Sequence, residues 1–60
     1  MNAYKSADFV EVGRTYYIPS EHSQTQYRKA IVIKILREFA IVKSNGEEFS
    51  VPFSDLCFLE

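Results

Sequence analysis

The side chains with chemical reach are few: one histidine, one cysteine, four tyrosines, five phenylalanines and seven Lys or Arg in a chain of 60 residues. His22 stands between Glu21 and Ser23, the residue types of a hydrolytic dyad or triad. A catalytic base needs an orienting group and a nucleophile held on a rigid scaffold, and the polar stretch 20–26 (Ser-Glu-His-Ser-Gln-Thr-Gln) supplies neither. His22 therefore reads as a solvated loop residue placed to touch a partner, and the chain as no enzyme. His22, Glu21 and Cys57 do not make a ligand spacing, so no metal and no small-molecule cofactor are expected. Cys57, in the run Leu56-Cys57-Phe58-Leu59, reads as a small buried hydrophobe. With no second cysteine for a disulfide, a reducing, cytoplasmic setting is the expectation.

Aromatic and basic residues carry the remaining possibilities. Tyr17, Tyr27 and Phe53 are placed to form an aromatic platform for a base, a methylated lysine or a proline-rich peptide, or simply to cover one end of the fold. Five of the basic residues, Arg28, Lys29, Lys34, Arg37 and Lys43, fall in the middle of the chain, whereas Glu47, Glu48, Asp55 and Glu60 follow them. That segregation is either a basic face able to meet phosphate or a scatter of solvated charges. A net charge of −1 gives no overall positive field to draw in nucleic acid.

These residues must be positioned by strands. Asn45-Gly46 lies between two β-rich runs, and a two-residue type I′ turn needs positive φ at both positions, which Asn and Gly tolerate best. Before it, residues 29–36 are apolar on both parities, which we read as a β-bulge near Lys34 that leaves Lys34 in solvent and Ala30, Val32 and Ile35 inside. That assignment puts Ile31 and Ile33 outside, together with Ala40 and Val42 on the next strand. This apolar patch is either an interface or a surface covered by Tyr4 and Phe9 of the N-terminal segment. An earlier strand, ending at Pro19, would turn Val12, Tyr16 and Ile18 inward and Arg14 and Tyr17 outward. Phe49 and Val51 point inward after the turn. Residues 53–56 read as one 3₁₀ turn capped by Ser54 or Asp55, with Leu56 as a plug and a short last strand at 57–59.

The expected organisation is a loose arm at 1–8, then one domain at 9–60. No window of ten or more residues carries helical spacing, none approaches a membrane span, and the first residues lack the apolar core of a signal peptide. Composition, 47% hydrophobic and 15% aromatic, is that of a folding chain near the lower size limit for a core without metal or disulfides.

Val12-Gly13 with Tyr16 and Ile18, Ala30-x-Val32-x-x-Ile35, Phe39-x-Ile41, Ser44-Asn45-Gly46-Glu47 and Ser54-Asp55-Leu56 together resemble the SH3-like barrel superfamily, in its Tudor and KOW-like branches. The pattern, over about residues 9–59, is also similar to the C-terminal barrel of the ProQ family of RNA chaperones. What the resemblance implies is an all-β, five-stranded SH3-like barrel with a 3₁₀ turn before the last strand. Such barrels bind peptides, methylated side chains, proteins or nucleic acids. A Tudor cage needs three or four rings, where this chain offers Tyr17, Tyr27 and Phe53, and the Gly of a KOW loop is missing at Arg37-Glu38.

The functional expectation is a small regulatory module, of the size of bacterial or phage accessory factors, that binds another protein or a second copy of itself. It would do so through the 20–28 loop and the neighbouring strand face, with Tyr17, His22, Tyr27, Ile31, Ile33 and Phe53 in contact. The alternative is an RNA- or DNA-binding barrel using Arg28, Lys29, Lys34 and Lys43 with tyrosine stacking.

Overall fold

A computed structural model describes residues 4–20 and 23–59, with side chains for 4–20 and 26–59. The described chain is all-β: β1 (Tyr4–Ser6), β2 (Thr15–Ser20), β3 (Ser23–Ile35), β4 (Phe39–Ser44), β5 (Glu47–Pro52), a 3₁₀ turn (Phe53–Asp55) and β6 (Cys57–Leu59). They form one antiparallel sheet in the order β1-β6-β2-β3-β4-β5. The two outermost strands, β1 and β5, do not pair, so the sheet has six strands and stays open where five strands in a closed barrel were expected.

The extra strand is β1. Residues 1–8 carry no period, which reads as a loose arm, but Tyr4, Lys5 and Ser6 pair with Leu59, Phe58 and Cys57. Three residues are too short a run for alternation to register in sequence. The polar stretch after β2 is also more ordered than a surface loop: Ser23 to Tyr27 already belong to β3, with Ser20 opposite Ser23 and a register shift between Pro19 and Ser20. His22 lies outside the described residues.

The central hairpin follows the sequence. Asn45 (φ 53°) and Gly46 (φ 79°) both occupy the left-handed region, and the turn fixes Ser44 opposite Glu47 and Lys43 opposite Glu48. With Lys43 turned to solvent, period 2 sends Ile41 and Phe39 to the same outer side and Val42 and Ala40 inward. The expected outward placement of Ala40 and Val42 is therefore reversed: both are fully buried. All four residues at 39–42 are apolar, so only the lysine two places on distinguished the faces.

The bulge in β3 is present between Val32 and Lys34. It places Ala30 and Val32 inside, leaves Ile33 as the extra residue, and brings Lys34 opposite Ile41 and Ile35 opposite Ala40. Ile35 thus shares the inner face but lies at its end, 40% exposed, instead of buried. Val12 is another departure, 60% exposed beside Gly13, whose φ of 88° turns the chain into β2.

The core comprises Tyr16 and Ile18 from β2, Ala30 and Val32 from β3, Ala40 and Val42 from β4, and Leu56, with Phe49, Val51, Phe53, Ala7 and Val10 packed around them. Val32, Val42 and Leu56 have no exposed surface, yet no second sheet and no α-helix exists among the described residues to cover them. A single sheet hides its inner face this completely only by curling over on itself. The 3₁₀ turn supports the curl: Phe53 N–H donates to Glu38 O (3.4 Å), Ala7 N–H to Leu56 O (2.8 Å), and Ser6 Oγ–H to Ser54 O (3.1 Å). Leu56 is the expected plug. No side chain caps the turn, against the expectation for Ser54 or Asp55; Pro52 precedes it in extended conformation, and its fixed φ leads the chain into the turn.

Two buried polar side chains on the inner face, Tyr16 and Ser44, are matched. Tyr16 Oη accepts from Glu11 N–H (3.0 Å) and donates to Phe9 O (3.3 Å), which fastens the 9–14 loop over the inner face. Ser44 Oγ–H donates to Lys29 O (2.7 Å), joining β4 to β3 at the hairpin end.

Candidate functional interface

The outer face of β3 and β4 brings several of the sequence-derived site residues together. On β3 it presents Lys29, Ile31, the bulged Ile33 and Lys34; on β4, Phe39, Ile41 and Lys43. The register sets Ile31 directly opposite Lys43 and Ile41 directly opposite Lys34. Ile31, Ile33 and Phe39 are 38%, 40% and 37% exposed, and Ile41 is half-buried beside them. β-branched residues favour this pleated surface, but strand propensity does not require four apolar side chains on the solvent side.

Tyr4 and Phe9 do not cover this face. Tyr4 stacks on Tyr27 with ring centroids 4.0 Å apart and planes 17° apart, and meets Tyr17 edge-on at 5.3 Å. Phe9 lies on the other side of the sheet, with the Arg14 guanidinium 5.9 Å from its ring centre. Neither ring is stacked over Ile31 or Ile33, which keep more than a third of their surface exposed.

Tyr17 and Tyr27 each meet Tyr4, which stands in the place given to Phe53. Phe53 is packed against the core and lines a cleft of about 300 Å³ with Ala7, Phe9, Val10 and Ile35, away from the tyrosines. Tyr4 packs against both Tyr17 and Tyr27 and takes up the space between ring faces that a cage would leave for a cation. Sequence reasoning missed Tyr4 here, although its ring is the one aromatic group in residues 1–8.

The four basic residues divide. Lys29, Lys34 and Lys43 sit on the outer face, and none makes an ion pair with a described residue. Arg28 pairs with Ile18 and turns to the inner side, its guanidinium 4.5 Å from the centre of the Phe49 ring. Its Nε is shielded from solvent without a hydrogen-bond partner, and the guanidinium as a whole is held by the Phe49 ring. A face built from all four is therefore not formed.

Cys57 is buried, opposite Ser6 of β1 and Tyr17 of β2. Burial pushes its thiol up from its ordinary value, the nearby Asp55 carboxylate adds to the rise, and Ser6 partly opposes it. Such a thiol is a poor nucleophile at neutral pH. Among the described residues no three His, Cys, Asp or Glu side chains converge as a metal site. The chain matches no known protein family, no curated protein and no solved structure.

Proposed function

We propose that this chain is a non-catalytic binding module, a small curled sheet of the SH3-like kind, that engages another protein through the outer face of β3 and β4. The observation that carries the reading is the partly exposed apolar stripe of Ile31, Ile33 and Phe39 with the half-buried Ile41 among them, continued across the ladder by Pro52 opposite Phe39. Exposed apolar side chains grouped on a pleated outer face gain free energy when a partner removes them from water, about 25 cal/mol per Å² buried. The bulged β3, the Asn45-Gly46 hairpin and the 3₁₀ turn before β6 support the SH3-like kinship. The tyrosine cluster, with Tyr27 on β3 itself and Tyr17 on the adjacent β2, extends the candidate surface.

The second reading, an RNA- or DNA-binding module, draws on Lys29, Lys34 and Lys43 sharing that face. Affinity capture from lysate of the source cells, with and without nuclease, separates the two when run beside the Ile31→Lys/Ile33→Lys variant. A protein partner survives nuclease and is lost in the variant. Nucleic acid retained by the variant, with affinity falling steeply as salt rises, would reject the protein-binding reading.

A further inference from the structure

Two isoleucines on the outer face each have a lysine directly across the ladder, Ile31 with Lys43 and Ile41 with Lys34, and Lys29 precedes Ile31 by one pleat. Neither β3 nor β4 contains a single Asp or Glu, although the whole chain has eight acidic against seven basic residues. The first carboxylate met across the sheet is Glu48 on β5, opposite Lys43, and it makes no ion pair there. Lys29 and Lys43 also flank a shallow hollow of about 240 Å³, floored by Thr15 and Ile31 and closed at the hairpin end by Ser44 and Asn45. The hollow is large enough for a carboxylate side chain between two ammonium groups.

We infer that the partner of this face is an acidic protein segment. Its carboxylates meet Lys29, Lys43 and Lys34, with one seated in the Lys29–Lys43 hollow, and its intervening apolar side chains lie on Ile31, Ile33 and Ile41. This inference rests on the reading that the face binds protein and adds the chemistry of what it binds. A nucleic acid would satisfy the same lysines with phosphate but gain nothing from the isoleucines between them. It would also find the nearby rings occupied, since Tyr4 is stacked on Tyr27 and meets Tyr17, and Arg28, the cation suited to planar stacking, is committed to Phe49. Charge on both sides of an apolar strip favours one partner sign by steering and by penalising the other.

The test is selection of binders to the full chain from a randomised peptide display library, beside a randomised single-stranded oligonucleotide pool against the same protein. Peptides that interleave Asp or Glu with apolar residues are expected to dominate. Their affinity is expected to fall about tenfold or more in Lys29→Glu/Lys43→Glu and by less in Lys29→Gln/Lys43→Gln, a pair that keeps the fold while removing the charge. Neutral or basic peptides whose binding is still lost in Ile31→Lys/Ile33→Lys would overturn the acidic partner and leave the binding face standing. Acidic peptides indifferent to that isoleucine variant would overturn the face itself. Enrichment of oligonucleotides alone, enrichment of nothing, or a concentration-dependent doubling of mass in light scattering that the isoleucine variant abolishes would each reject the proposal.

Discussion

Cys57 gives the residue-scale prediction with the clearest sign. Its thiol is held above its ordinary value of 9.0 by burial first and by the Asp55 carboxylate second. In the unfolded chain the thiol ionises at its ordinary value, so the stabilisation of the folded form is complete below pH 9 and is lost as pH climbs through the raised folded value. Urea midpoints of the native chain should accordingly fall more steeply above pH 9 than those of Cys57→Ala, with the two curves parallel at neutral pH; curves parallel throughout would mean the thiol is not buried. Alkylation by iodoacetamide should be slow in the folded protein and rise with denaturant. Gly46 offers a second prediction at this scale. A Cβ at Gly46 would meet no atom within 4 Å, so the cost of Gly46→Ala comes only from forcing φ +79° on an L side chain. That cost is about 1 kcal/mol, visible as a lower urea midpoint with unchanged slope.

At the scale of elements, the bulge at Ile33 decides how β3 serves both neighbours. Val32 faces inward, Lys34 outward and Ile35 inward, so removing Ile33 altogether leaves an alternating strand with the same faces. What the deletion removes is the local twist and bend that a bulge introduces. Deletion of Ile33 should therefore destabilise more than Ile33→Ala, which keeps the extra residue and trims only an exposed side chain. Urea titrations of the two variants check this, and equal midpoints would mean that the curl of the sheet does not depend on the bulge. The bulge was legible because Lys34 interrupts a run apolar on both parities, and the hairpin because Asn45-Gly46 admits few other conformations. The faces of β4 were not read from Phe39-Ala40-Ile41-Val42, where no polar residue breaks the tie; Lys43 breaks it once the turn register is fixed. β1 escaped notice because its three residues gain order from pairing with β6, a contact some fifty residues away that local pattern cannot encode. The same limit hid Tyr4 as the partner of Tyr17 and Tyr27. Phe53 went to the core because the 3₁₀ turn folds under the sheet, and period 2 carries no information once a strand has ended.

For the molecule as a whole, the question is how 60 residues in a single sheet stay folded. Small domains of this size bury a smaller share of their surface than larger ones, about 60%, and a core alone rarely supplies more than about 3–5 kcal/mol. Peripheral strands therefore weigh heavily. β1 contributes three ladder positions, the Ser6 Oγ–H bond to Ser54 O, and above all the Tyr4 ring against Tyr27 and Tyr17. Tyr4→Ala keeps the strand and loses the ring contacts, which together with the lost apolar burial are worth about 2 kcal/mol. Removing residues 1–6 takes the hydrogen bonds as well and bares the edge of β6, a template for pairing with another chain. Thermal melts should thus rank the native chain above Tyr4→Ala and Tyr4→Ala above the truncated form, and light scattering should find self-association in the truncated form alone. A truncated chain that melts with the native one would place β1 outside the cooperative unit. The aromatic cluster would then have to be explained by binding, because it would hold nothing together.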